Sequence, residues 1–184
     1  MRALILAMLA LSLAACASVP APILSSWPQG PQAPVYSGAD PIDPYAPPRI
    51  LADAPPSECV PFARSASGVE IYGDANTWWV QAEGRYPRSQ TPAVGSVLVM
   101  RGYSDPAHGH VAVVSAIVSD RVIRVDQANW LNQGETSLSV PVIDVSPNND
   151  WTEVRVWYIP DEHWGGRVYA AEGFIHPFAL VPMS

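Results

Sequence analysis

The sequence predicts an α+β fold: two helices at the front of one globular domain, packed on an antiparallel sheet of about five strands. Three observations carry this. Apolar residues between positions 57 and 84 recur at helical spacing and are closed off by Gly68 and Gly84. After Pro92 the spacing changes to that of strands. Short polar turns such as Ser119-Asp120 then join successive apolar segments, which favours sequential antiparallel pairing.

The domain is preceded by other material. Arg2 is the only charge before an apolar run from Ala3 to Leu13. A helix needs about 20 apolar residues to span a bilayer, so this run suits the core of a secretory signal peptide. It ends in Leu13-Ala14-Ala15-Cys16. That motif resembles the lipobox of bacterial lipoproteins, which implies that Cys16 is lipidated and becomes the mature amino terminus. The alternative is ordinary cleavage at the small-x-small site Ala15-Cys16-Ala17. Residues 1–16 thus read as a lipoprotein signal peptide, and residues 17–56 as a proline-rich disordered tether. Eleven of the 20 prolines fall between positions 20 and 56, a density that neither helix nor sheet tolerates. Fully extended, such a tether would span on the order of 120 Å. Residues 57–160 form the expected globular domain. Residues 161–184 are an extension whose Arg167-Val168-Tyr169 and Gly173-Phe174-Ile175 are apolar enough to pack back onto it.

Within the domain, a helix begins at Cys59 and is closed by Ser67-Gly68; Pro61 is acceptable in its first turn. A second helix covers Asn76 to Glu83. Strands follow at Ser96–Arg101, His110–Val118, Arg121–Asn129, Ser137–Val145 and Thr152–Ile159. The His110 strand is apolar on both faces, as a central strand would be. The 184-residue chain carries a net charge of −7 and no lysine, so it has no electrostatic footprint for nucleic acid or for an anionic membrane surface.

The chain has two cysteines, Cys16 and Cys59. With Cys16 lipidated or removed, Cys59 has no partner, and a lone thiol in an oxidising compartment is either buried and inert or used. Cys59 opens a helix, whose amino-terminal partial charge favours a thiolate. His110 opens the central strand and can face that helix. An accessible and acidic thiol is expected. The neighbouring strand ends in Asp126-Gln127-Ala128-Asn129-Trp130, offering three polar groups to orient the imidazole. Strand parity puts Gln127 and Asn129 on the packed face with Ile123 and Val125, and Asp126 on the opposite face beside Arg124, as a surface ion pair. His108 and His110 share a strand face, but a zinc site needs at least three protein ligands and only Asp105 stands close, so no metal is expected. His163 and His176 read as surface residues, and Trp78, Trp79 and Trp130 as neighbours of the site.

Four segments resemble one family. Ser57-Glu58-Cys59-Val60 opening a helix looks like the nucleophile motif of CHAP domains, the cysteine, histidine-dependent amidohydrolases/peptidases. Pro92-Ala93-Val94-Gly95-Ser96-Val97-Leu98-Val99 resembles their second motif, with Ser96 for the usual aspartate. Gly109-His110-Val111-Ala112-Val113-Val114 is similar to their histidine strand, and Asn129-Trp130 to the end of the strand after it. The resemblance spans residues 57–160. It implies a papain-like α+β fold, hydrolysis of an amide or peptide bond in peptidoglycan, and no cofactor. Cys59 would be the nucleophile and His110 its base, with Gln127 and Asn129 at the orienting site and Asp126 as the other possible third member. The family shows Glu-x-Asn there, so Gln127 replaces a carboxylate and gives weaker support to an imidazolium. The expected place is the cell envelope, lipid-anchored, at the outer membrane facing the periplasm, since Ala17 rather than aspartate follows Cys16. Two further readings stand beside this one: a non-catalytic wall-binding lipoprotein of the same fold, and a hydrolase or transferase of a small soluble amide.

Overall fold

A computed structural model describes residues 43, 45–103, 105 and 107–180. The signal segment, Cys16 and the tether as far as residue 42 lie outside them. Helix α1 (Cys59–Ser67) ends as its sequence requires: Gly68 adopts φ 75°, and its N–H bonds the Arg64 carbonyl at 2.9 Å. A 3₁₀ turn at Ala75–Thr77 runs into the short helix α2 (Trp78–Gln81). The strands are β1 (Arg49–Ile50), β2 (Arg88–Ser89), β3 (Val97–Arg101), β4 (Gly109–Ile117), β5 (Val122–Ala128), β6 (Thr136–Asp144), β7 (Glu153–Tyr158), β8 (His163–Trp164) and β9 (Tyr169–Ile175). Part of the stretch read as disordered tether is strand: β1 pairs with β6.

The expected papain-like arrangement, with helices laid on an open sheet of about five strands, is not what the chain forms. Strands β3, β4, β5 and β6 pair in sequence, β6 also pairs with β7, β7 with β9, and β9 with β3. The ring closes. The domain is mostly β, a six-stranded antiparallel barrel with two short helices outside it. The five strands expected from the sequence are five of the six staves. The sixth is β9, from the segment read as an extension; by inserting between β3 and β7 it removes both sheet edges. Its sequence, Tyr-Ala-Ala-Glu-Gly-Phe-Ile, carries four poor strand formers, so local propensity hides it.

Two cores follow from strand parity. Even-numbered Leu98, Met100, Ala112 and Val114 point into the barrel with Ile123, Val125, Val140, Val142, Val156 and Phe174. Odd-numbered Val97, Val99, Val111 and Val113 point outward and are covered by Ala63, Val69, Ile71 and Trp78 of the helical layer. This is why β4 reads as apolar on both faces. Trp78 is fully buried in the outer layer and Trp79 packs against it, so neither borders the site expected for them. His176 is not a surface residue: it is fully buried, with Nε2 2.8 Å from Ser89 Oγ.

Candidate active site

One mouth of the barrel collects the end of β3, the start of β4, the end of β5, the end of β7 and the start of β9. A cleft of about 940 Å³ opens there, lined by Cys59, His110, Asn129 and Trp130 among others. Gly109 sets the approach of the helical layer. A Cβ at this position would meet the Asn76 nitrogen and the Met100 carbonyl oxygen, both at 2.8 Å. Only glycine lets that layer pack against the backbone beside His110.

Cys59 is the first residue of α1, and its sulfur receives the Val111 N–H of β4. The thiol is not acidic at rest. Burial pushes its pKa above the usual value, and the adjoining Glu58 carboxylate adds to this; the N–H groups of Val111, Val60 and Cys59 pull the other way and lose. The expectation of a thiolate weighed the helix terminus without the desolvation.

His110 shares the barrel-facing parity of Ala112 and Val114. Its Nε2 lies 3.0 Å from Gln127 Oε1. An amide oxygen only accepts, so Nε2 carries the proton and Nδ1 the lone pair. Burial lowers the imidazole pKa to about 4, with the Gln127 bond opposing it. At neutral pH the site therefore holds a thiol and a neutral imidazole. The Trp130 ring stands edge-on to the imidazole, with centroids 4.8 Å apart.

The three candidate orienting residues part company. Gln127 is buried behind His110, level with Ile123 and Val125 as parity required, and its Nε2 has no hydrogen-bond partner among the described residues. Asn129, at φ 60°, bonds away from the imidazole. Its Nδ2 donates to the Glu58 carboxylate, and its Oδ1 accepts the Gly134 N–H at 2.8 Å. It thus ties the end of β5 to the residue preceding the cysteine. Asp126 is not a surface ion pair with Arg124. Its Oδ1 accepts the Ser139 N–H at 2.8 Å, holding a residue at φ 58° in β6, while Arg124 donates to the Ser139 carbonyl at 3.1 Å. Asp126→Ala is accordingly expected to lower unfolding free energy by about 1–3 kcal/mol, because the buried Ser139 N–H loses its acceptor. Urea unfolding reads this, with turnover per folded molecule staying within a few-fold.

His108 Nδ1 lies 2.8 Å from Asp105 Oδ2, outside any shared cluster with His110. Among the described residues no group of three or more His, Cys, Asp or Glu is placed to hold a metal. The cleft also takes in Tyr103 and Tyr158, which the sequence reading passed over, and His163, Arg167 and Tyr169, which it placed on the surface or in the extension and not at the site. They come from the loop after β3, the end of β7 and the segment past residue 160, where no motif marks them. Aromatic residues next to strand ends were the available signal.

Burial depresses both His110 and His176. The unfolded chain, with histidines near pKa ~6.5, then binds protons before the folded one does. Stability is full above about pH 6.5 and is lost as pH falls from there toward 4. Urea midpoints at pH 7.5 and 5 should differ in that direction.

Residues 52–129 match the family model of the CHAP domain. The match runs from before α1 to the end of β5, and so contains Cys59, His110, Gln127 and Asn129 but not the strands that close the barrel. No curated protein matches the chain.

Proposed function

We propose that this protein cleaves an amide or peptide bond of the wall by attack of Cys59, with His110 as base; the match of residues 52–129 to the CHAP domain, a family of amidase and peptidase hydrolases acting on peptidoglycan, supports the reading. The observation that carries the reading is the His110–Gln127 bond, which keeps the proton on Nε2 and leaves the Nδ1 lone pair as the base of a residue that lines the same cleft as Cys59. From the neutral resting pair, the thiol proton passes to Nδ1 as the sulfur attacks the carbonyl carbon. The Cys59 backbone N–H at the helix terminus bonds the developing oxyanion. The imidazolium returns its proton to the leaving nitrogen, the C–N bond breaks, and a thioester remains. Water, deprotonated by Nδ1, then releases the acid and restores the thiol. Gln127 Oε1 holds the ring through both transfers.

The experiment is digestion of purified wall sacculi. Soluble fragments with one new amine and one new carboxylate per cut are expected, and none with Cys59→Ala. Absence of release by the native protein would contradict the reading. A second reading, wall binding without turnover, is favoured by the amide at position 127 and by the raised thiol; sacculus binding with no release would select it.

The protein is further proposed to be anchored through lipidated Cys16 to the periplasmic face of an outer membrane. Cys16→Ser should move it from the membrane to the soluble envelope fraction. Unchanged fractionation would remove the anchor.

A further inference from the structure

Past the Cys59–His110 pair the cleft continues along a wall of rings. Trp130 lies 5.1 Å from Tyr169, and Tyr169 lies 5.6 Å from Tyr103, centroid to centroid. The Arg167 guanidinium carbon sits 4.8 Å from the Tyr103 ring centre. Counted from His110, these steps place Arg167 within roughly 20 Å of the imidazole, a distance that about six residues of extended peptide cover at ~3.3 Å each.

The charges along this wall are uneven. Arg101 is engaged by Glu172 at 2.6 Å, and His108 by Asp105 at 2.8 Å. Glu58 places a carboxylate at the Cys59 end, held by Asn129. Arg167 has no carboxylate partner among the described residues. An arginine laid on a tyrosine face keeps its N–H edge free for bidentate bonding to a planar anion. The rings meet at 60–77° rather than in one plane, and Arg167 covers a face of Tyr103, so the wall offers an anion site more than a flat sugar platform.

We infer that Arg167, seated on Tyr103, is a specificity residue that binds a free carboxylate of the wall peptide away from the bond cleaved. The inference rests on the wall-peptide reading of the substrate. It also gives a role to the segment beyond residue 129: the connection between β8 and β9 brings to the family's cysteine and histidine an arginine that discriminates free from amidated stem peptides.

Binding separates this from catalysis. Full-length Cys59→Ala protein would be titrated calorimetrically with a wall-derived tetrapeptide bearing free carboxylates and with its carboxamide counterpart. The carboxylate form should bind about five- to tenfold tighter, a preference that shrinks with added salt. Arg167→Gln should abolish the difference, and Arg167→Lys should keep part of it, since charge remains without the planar fork. Equal affinities, a preference that survives in Arg167→Gln, or no binding of either peptide would each overturn the inference. Parallel hydrolysis by the native protein tells the two readings apart. Turnover without selectivity sinks the Arg167 site alone, and selective binding without turnover sinks the hydrolase alone.

Discussion

On the proposed mechanism, Cys59→Ala is expected to remove wall hydrolysis by roughly a thousandfold or more, with His110→Ala close to it, because the two would act as one proton-transfer unit and their losses would not add. Turnover on muropeptides, with folding checked by circular dichroism, is the measurement. The pH dependence has a definite sign. His110 serves as base only when neutral, and its pKa of about 4 places the acidic limb of kcat/KM near pH 4, well below that of an unperturbed histidine. Cys59, pushed upward by burial, should react slowly with iodoacetamide at neutral pH and faster as the solution turns alkaline. Rapid alkylation at pH 6 would mean that the resting site is a thiolate–imidazolium pair and that the neutral mechanism is wrong.

The second large effect lies at Gln127. Gln127→Ala removes the acceptor that fixes the imidazole tautomer and leaves Nε2–H buried without a partner. Turnover should fall on the order of a hundredfold. Gln127→Glu does the reverse. It restores the carboxylate the family shows, removes an amide donor that has no partner among the described residues, and puts a negative charge against the ring. Opposite charge favours the imidazolium, so the His110 pKa rises, the acidic limb of the pH profile moves upward, and neutral-pH alkylation of Cys59 accelerates by about tenfold. An unmoved profile in a folded Gln127→Glu protein would show that residue 127 does not act on the ring.

What could be read in the sequence followed local rules. Gly68 marked the end of α1, and the alternation of Ile123 and Val125 placed Gln127 on the inner face. That parity held although the β5–β6 pairing shifts register between Val125 and Gln127. Three other features depend on tertiary structure. Barrel closure rests on β9, whose alanines and glycine carry no strand signal; it is held in place by β3 and β7 on either side. The thiol's pKa depends on how deeply packing desolvates it, which outweighs a helix terminus contributing some 0.3–1 kcal/mol. Asp126 could be assigned to a face but not to its partner Ser139, and strand parity did not reach Asn129, which lies past the end of β5 at φ 60° and bonds Glu58.

The most direct test of the mechanism is the covalent intermediate. The protein would be mixed with wall peptide, quenched in acid within the first turnover and analysed by mass spectrometry. An acyl fragment on the peptide that contains Cys59, removable by hydroxylamine, is the result this account predicts. Release of wall fragments in that first turnover while Cys59 stays unmodified would contradict it.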